Sequence, residues 1–508
     1  MSYTKSLLLA LGISAVQAVP KPRGDEGIRW GKCDIDTQGL PVECAKLTVP
    51  LDYSDDSCED TLDLALIRYP AQNGPSQGTI MLNFGGPGQD GLNSMISYAP
   101  IQGPVTGGQF DLVSWDPRGT GQTLRFACFE PEEIGVTLAH ELPDESPEVR
   151  QRVWDEAGYI AGNCSERLSE TGDLVGTAFT VRDMFQIVDA LGEDGMLRYW
   201  GISGGTTLGA TAAAMFPDRI DKVILDGVMN AHEYYHSVGE TNIVLTADDT
   251  FLGFINACFD NPKKCPLATI TDSPDAALKV IVDTFETLKT EPLLVPVEDA
   301  DPVAITYSIA NSFTLSTLYR PNSYQLLASI LTAVVKRDTV ALVEAFSGDG
   351  SPSAVPQQGQ AVMGIRCGDK IPRVDDLSDL DEVDEDFRET SKYFPGFGVG
   401  YYVYACAQWG FEAKERYEGD FQVRTSSPLL FIGNTYDPVT PLASARNMSA
   451  GFEGSVVLQQ DGFGHTSIAQ TSNCTNEAIA KYFADGTLPE EGTVCAPNHP
   501  LFANDEEI

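Results

Sequence analysis

The chain has 508 residues and a formal net charge of −40, with 73 Asp and Glu against 33 Lys and Arg. Such an acidic balance excludes nucleic-acid binding, which needs clustered basic side chains on phosphates, and reads as a solvated surface that keeps the chain soluble. The length suffices for a large core and for more than one structural unit.

At the N-terminus, Lys5 precedes an apolar run over 7–16, and Val16-Gln17-Ala18 supplies small residues at a cleavage site. This predicts a signal peptide over 1–18 and hence a secreted, extracellular protein. The run is too short to span a bilayer and no later segment is long and apolar enough, so no membrane association is expected. Short β-rich segments follow at 46–51, 62–69, 79–83, 111–115, 197–200, 222–226, 428–432 and 455–459. Several are almost wholly apolar, which suits a mostly parallel sheet covered on both faces. Val181, Met184, Ile187, Val188 and Leu191 recur at helical spacing before the fifth segment.

Between the sixth and seventh segments the pattern changes. Helical apolar stripes run through Val244, Phe251, Phe254 and Ile255, then Ala277, Leu278, Ile281, Val282 and Phe285, then Leu326, Leu327, Ile330, Leu331 and Val334. Residues 230–420 thus read as a large, mainly helical lid inserted into an α/β core made of 19–229 and 421–508. The acidic run 375–386 reads as a solvated loop.

Eleven cysteines accompany the export signal. Their spacing suits neighbour pairing as Cys33–Cys44, Cys128–Cys164, Cys258–Cys265, Cys367–Cys406 and Cys474–Cys495, leaving Cys58 over. No cysteine or histidine cluster has metal-ligand spacing, so neither metal nor cofactor is expected. Asn163, Asn447 and Asn473 stand in glycosylation sequons. A monomer is expected.

The chemistry centres on Gly201-Ile202-Ser203-Gly204-Gly205, which fits the G-x-S-x-G nucleophile elbow between an apolar strand and a small-residue helix. A serine hydroxyl needs a base. Of five histidines, His140 lies in an acidic segment, His232 and His236 open the lid, and His499 sits in a Pro-rich tail. His465 follows the last strand, where a base serving the same sheet must lie. Asp437, just past the seventh strand, is the matching acid, and the order Ser203, Asp437, His465 is that of the α/β-hydrolase fold. Asp226 is the alternative acid, though a strand-end carboxylate bonding nearby backbone is the simpler reading. Oxyanion donors are expected from Gly204 and from the glycine loop at Gly85 and Gly86. That loop lacks the Lys-Ser/Thr of a nucleotide-binding P-loop.

With these pieces in place, the chain resembles the α/β-hydrolase branch of secreted tripeptidyl and prolyl aminopeptidases. The matching motifs are NFGGPG at 83–88, WDPRGTG at 115–121, WGISGG at 200–205, FPDRIDKVILDGV at 216–228, GNTYDPVTP at 433–441 and GFGHTS at 462–467. The resemblance implies Ser203 as nucleophile, Asp437 as acid and His465 as base, with Asp116 and Arg118 bracing loops. It departs at Gly204, where the family usually has an aromatic residue, at Asp90, where it has a small one, and at Met229-Asn230, which replace an Asp-Pro. Asp90, Glu233 and Glu240 are the candidate carboxylates for a substrate ammonium. The expected function is therefore an aminopeptidase working through an acyl-enzyme on peptides. A carboxylesterase acting on small esters and a catalytically silent binding protein remain as alternatives.

Overall fold

The computed structural model describes residues 27–130, 141–297, 300–346 and 356–503; the expected signal peptide and His140 lie outside them. Nine strands form one sheet: β1 (Glu43–Pro50), β2 (Thr61–Tyr69), β3 (Thr79–Asn83), β4 (Asp111–Trp115), β5 (Leu197–Ile202), β6 (Ile220–Asp226), β9 (Leu430–Tyr436), β10 (Val456–Phe463) and β11 (Val494–Cys495). Their order is β1-β2-β4-β3-β5-β6-β9-β10-β11. β2 pairs antiparallel with both β1 and β4, and every other pairing is parallel. The remaining pair, β7 (Leu293–Val297) and β8 (Ala300–Ile305), is a separate antiparallel hairpin.

The apolar runs are explained by burial on both faces. Along β5, Leu197 and Tyr199 enter one core while Trp200 and Ile202 enter the other, the two-residue alternation of a pleated strand. The first face is covered by α3 (Thr177–Leu191) and α4 (Gly204–Met215), the second by α1 (Gly91–Val105) and α14 (Asn473–Asp485). α2 (Pro147–Arg167) lies elsewhere, in a third buried cluster with the chain between β6 and β9. That stretch holds α5 (Ala231–His236), α6 (Ala247–Asp260), α7 (Pro274–Leu288), α8 (Tyr307–Leu318), α9 (Tyr324–Lys336), α10 (Thr339–Phe346), α11 (Pro356–Asp369) and α12 (Asp381–Thr390). A short helix, α13 (Leu442–Ser449), follows β9.

Three differences from the sequence reading have physical causes. The helical layer recruits Phe126, Cys128, Val149, Trp154 and Cys164 from before β5, because α2 buries its apolar stripe there rather than on the sheet. The acidic run is not a loop. Asp376 and Asp379 form a capping box, and Asp381, Glu382 and Asp384 occupy the first turn of α12, where the helix dipole favours negative charge. β9 extends to Tyr436 through Gly433 and Asn434, because pairing with Gln459 and Gln460 outweighs their turn propensity.

Candidate active site

The elbow forms where β5 runs into α4. Ser203 has φ 54° and ψ −124°, a backbone conformation that β-carbon-bearing residues rarely hold. Its N–H donates to Asp226 O at 3.0 Å, and its carbonyl accepts from Thr206 N at 2.8 Å and Thr206 Oγ1 at 2.6 Å. The strained residue is therefore held by β6 on one side and the first turn of α4 on the other.

The β3–α1 loop closes against this turn. Gly85 has φ 94°, and a Cβ there would lie 2.7 Å from Ile202 O and 2.8 Å from Ser203 Cβ. A Cβ on Gly204 would lie 2.6 Å from Gly86 C and 2.7 Å from Pro87 N. This close approach leaves no room for a side chain at position 204 without moving the Gly86–Pro87 peptide. Asp116 accepts from Gly91 N at 2.9 Å, Leu92 N at 3.1 Å and Gln122 N at 2.8 Å, fastening the start of α1. Arg118 is fully buried, pairs with Asp183 at 2.6 Å and donates to Pro50 O at 2.7 Å.

Asp437 follows β9 directly and is wholly buried. Its carboxylate accepts from Val439 N at 3.0 Å, Thr440 N at 2.9 Å, Thr440 Oγ1 at 2.7 Å and Thr466 N at 2.9 Å. Both of its oxygens lie 3.1 Å from His465 Nδ1. Burial works to raise this carboxyl, but the His465 ring and the converging N–H donors hold it below its ordinary value. Asn434 donates to Gly464 O at 2.9 Å and Thr466 O at 2.7 Å, so β9 also braces the loop carrying the imidazole. Asp226 serves that same loop. It accepts from Ser467 N at 2.8 Å, and burial pushes it up to about 6.

Ser203 and Gly86 open onto a cavity of about 60 Å³ whose walls include Glu233, Asn242, Tyr319, Arg366, Tyr402 and Thr440. Burial pushes Glu233 up to about 7 against a hydrogen bond of 3.2 Å from Asn242 N. Two of the candidate ammonium ligands need correction. Glu240 lines the same cavity but accepts from Arg366 Nε at 3.0 Å and pairs with Lys370 at 2.8 Å, so two cations already balance its charge. Asp90 caps α1, accepting from Asn93 N at 2.8 Å, and is not among the cavity-lining residues. Arg366, Tyr319 and Tyr402 were not legible in the sequence. They come from distant parts of the helical layer and carry no local motif.

The five expected cysteine pairs are bonded, and Cys58 is a free thiol. Of the sequon asparagines, Asn447 and Asn473 are exposed, whereas Asn163 is half-buried and donates to Cys128 O at 3.1 Å. His232 packs on Phe421, His236 lies 3.3 Å from Gly419 O, and the His499 carbonyl accepts from Gln470. No helix among the described residues is long and apolar enough to cross a membrane.

The chain is similar in sequence to several known proteins. A family model described as the alpha/beta hydrolase fold matches residues 79–262, and one described as TAP-like protein matches residues 395–495. The chain is 28% identical to serine protease Hip1 of Mycobacterium tuberculosis, covering 94% of this chain and 92% of the relative. It is 26% identical to tripeptidyl aminopeptidase of Streptomyces lividans, covering 93% and 87%, and 27% identical to carboxylesterase B of Mycobacterium tuberculosis, covering 92% and 90%.

Proposed function

Because the chain is a serine hydrolase of the α/β-hydrolase fold, we propose that it is a secreted aminopeptidase that releases short units from peptide N-termini through an acyl-enzyme. Ser203 attacks the scissile carbonyl while His465 Nε2 takes its proton, and Asp437 at Nδ1 steadies the imidazolium. The backbone N–H of Gly204 and one from the Gly85–Gly86 loop stabilise the oxyanion. Collapse expels the amine with the proton from His465, and a water deprotonated by the same base then frees Ser203.

One observation carries the exopeptidase reading: Ser203, Gly86 and Glu233 share the walls of a single small cavity. A carboxylate in that wall suits the ammonium of a free N-terminus, and such a contact stabilises its charged form. At about 60 Å³ the cavity holds about two waters. A longer acyl unit extends beyond it, beneath residues 230–420 acting as a lid. The similarity to tripeptidyl aminopeptidase supports peptide substrates; the similarity to carboxylesterase B favours the second reading, small-ester hydrolysis.

A panel of peptides varied in length, proline position and N-terminal blocking tests this assignment. Cleavage of free-amine but not acetylated peptides is expected. Turnover confined to simple esters replaces the peptidase with the esterase, and loss of all hydrolytic turnover leaves a binding protein.

A further inference from the structure

The helical layer touches the base itself. Tyr319, the C-terminal cap of α8, accepts a hydrogen bond from His465 N–H through its carbonyl at 2.9 Å. Its ring packs against the imidazole with centroids 5.0 Å apart and planes at 66°. Gly464 permits this approach: a Cβ there would lie 2.8 Å from Tyr319 O and 2.5 Å from Pro321 Cδ. The layer also reaches the acid, since Thr246 Oγ1 donates to Asp437 O.

These contacts constrain the imidazole in a way that Asp437 cannot. Hydrogen bonds at Nδ1 from one edge leave the ring free to tilt about that edge, and tilting changes where Nε2 points. An aromatic ring packed against the imidazole limits the tilt. Tyr319 lines the same cavity as Ser203, so the hold acts at the reacting site.

We infer that Tyr319 is a positioning residue for His465, through which the docked helical layer sets the geometry of the acid–base pair. This rests on His465 being the base. Consequently, α8 must be docked on the Gly464–His465 loop when the base acts, and its displacement switches the base off.

The test compares Tyr319→Ala, Tyr319→Leu and Tyr319→Phe in the full chain, using a free-amine peptide and a small acetate ester. Displacing a reacting group by about 1 Å costs on the order of a hundredfold in rate. Alanine and leucine should therefore lower kcat on both substrates by about that factor, with KM changed less than about threefold. Phenylalanine should recover most of the loss. Leucine keeps the apolar bulk, so it carries the test if alanine unfolds. A folded Tyr319→Leu enzyme with normal kcat overturns the inference, as does one whose only defect is a raised KM for the peptide. A His465→Ala control separates the two readings: retained turnover there defeats the base assignment, while its loss beside an active Tyr319→Leu defeats only the role of Tyr319.

Discussion

Replacing Gly204 with alanine adds one methyl at a very tight point of the site. Its carbon would sit 2.6 Å from Gly86 C, 2.7 Å from Pro87 N and 2.8 Å from Gly86 O. Carbon contacts are comfortable at about 3.5 Å, so the Gly86–Pro87 peptide must recede by roughly 0.8 Å. Overpacking of this kind costs about 1–3 kcal/mol of stability, which a domain of this size survives. The loss in turnover is larger, because the receding loop carries an expected oxyanion donor. Removing one such donor costs about 3–4 kcal/mol of transition-state stabilisation, or on the order of a hundred- to a thousandfold in kcat. Steady-state kinetics on a free-amine peptide, paired with thermal melts, should show that fall with KM nearly unchanged. A folded Gly204→Ala enzyme within about threefold of the parent kcat would refute both the tight approach and the role of the loop.

Further expectations follow from the acid, the cavity and the buried carboxyls. Asp437→Asn should keep the fold but lower kcat by up to about ten-thousandfold, the loss seen for the same change in a serine protease; a loss under about tenfold would point to another acid, Asp226 first. Glu233→Gln should raise KM for free-amine peptides while leaving small esters unaffected. Because burial raises Glu233 to about 7, the parent KM for those peptides should itself climb as pH falls below that value; a pH-independent KM would remove Glu233 from ammonium binding. Asp116, Asp226 and Asp369 are each pushed by burial to about 6. The folded state then holds protons that the unfolded chain has lost, so stability falls as pH rises from about 4 to about 6. Each two-unit rise corresponds to roughly 3 kcal/mol, and the melting temperature should be higher near pH 5 than at pH 7.5. A flat or inverted profile would contradict this.

The elements legible in the sequence were those with a local physical signature. The central strands β3 to β6 were legible because burial makes them largely apolar runs, and Ser203, Asp437 and His465 stood out because each lies just past a strand; the two-residue β11 at the sheet edge left no such run. Cysteines adjacent in chain order similarly announced their pairing. What stayed hidden depends on contacts between distant segments. Glu240 looked like a free carboxylate because nothing near it in sequence shows Arg366 and Lys370 closing over it. Asp90 stood beside the glycine loop yet turns to cap its own helix. Tyr319 and Tyr402 enter the cavity only through the packing of the helical layer, and α2 joins that layer from an earlier part of the chain.

The proposed chemistry stands on Ser203 as the nucleophile of an acyl-transfer reaction. Peptide mapping by mass spectrometry after treatment with a fluorophosphonate, alongside residual peptidase activity, tests it most directly. The adduct should fall on Ser203, its extent should match the activity lost, and Ser203→Ala should take up no probe. Labelling at another residue, or undiminished activity in Ser203→Ala, would contradict the account.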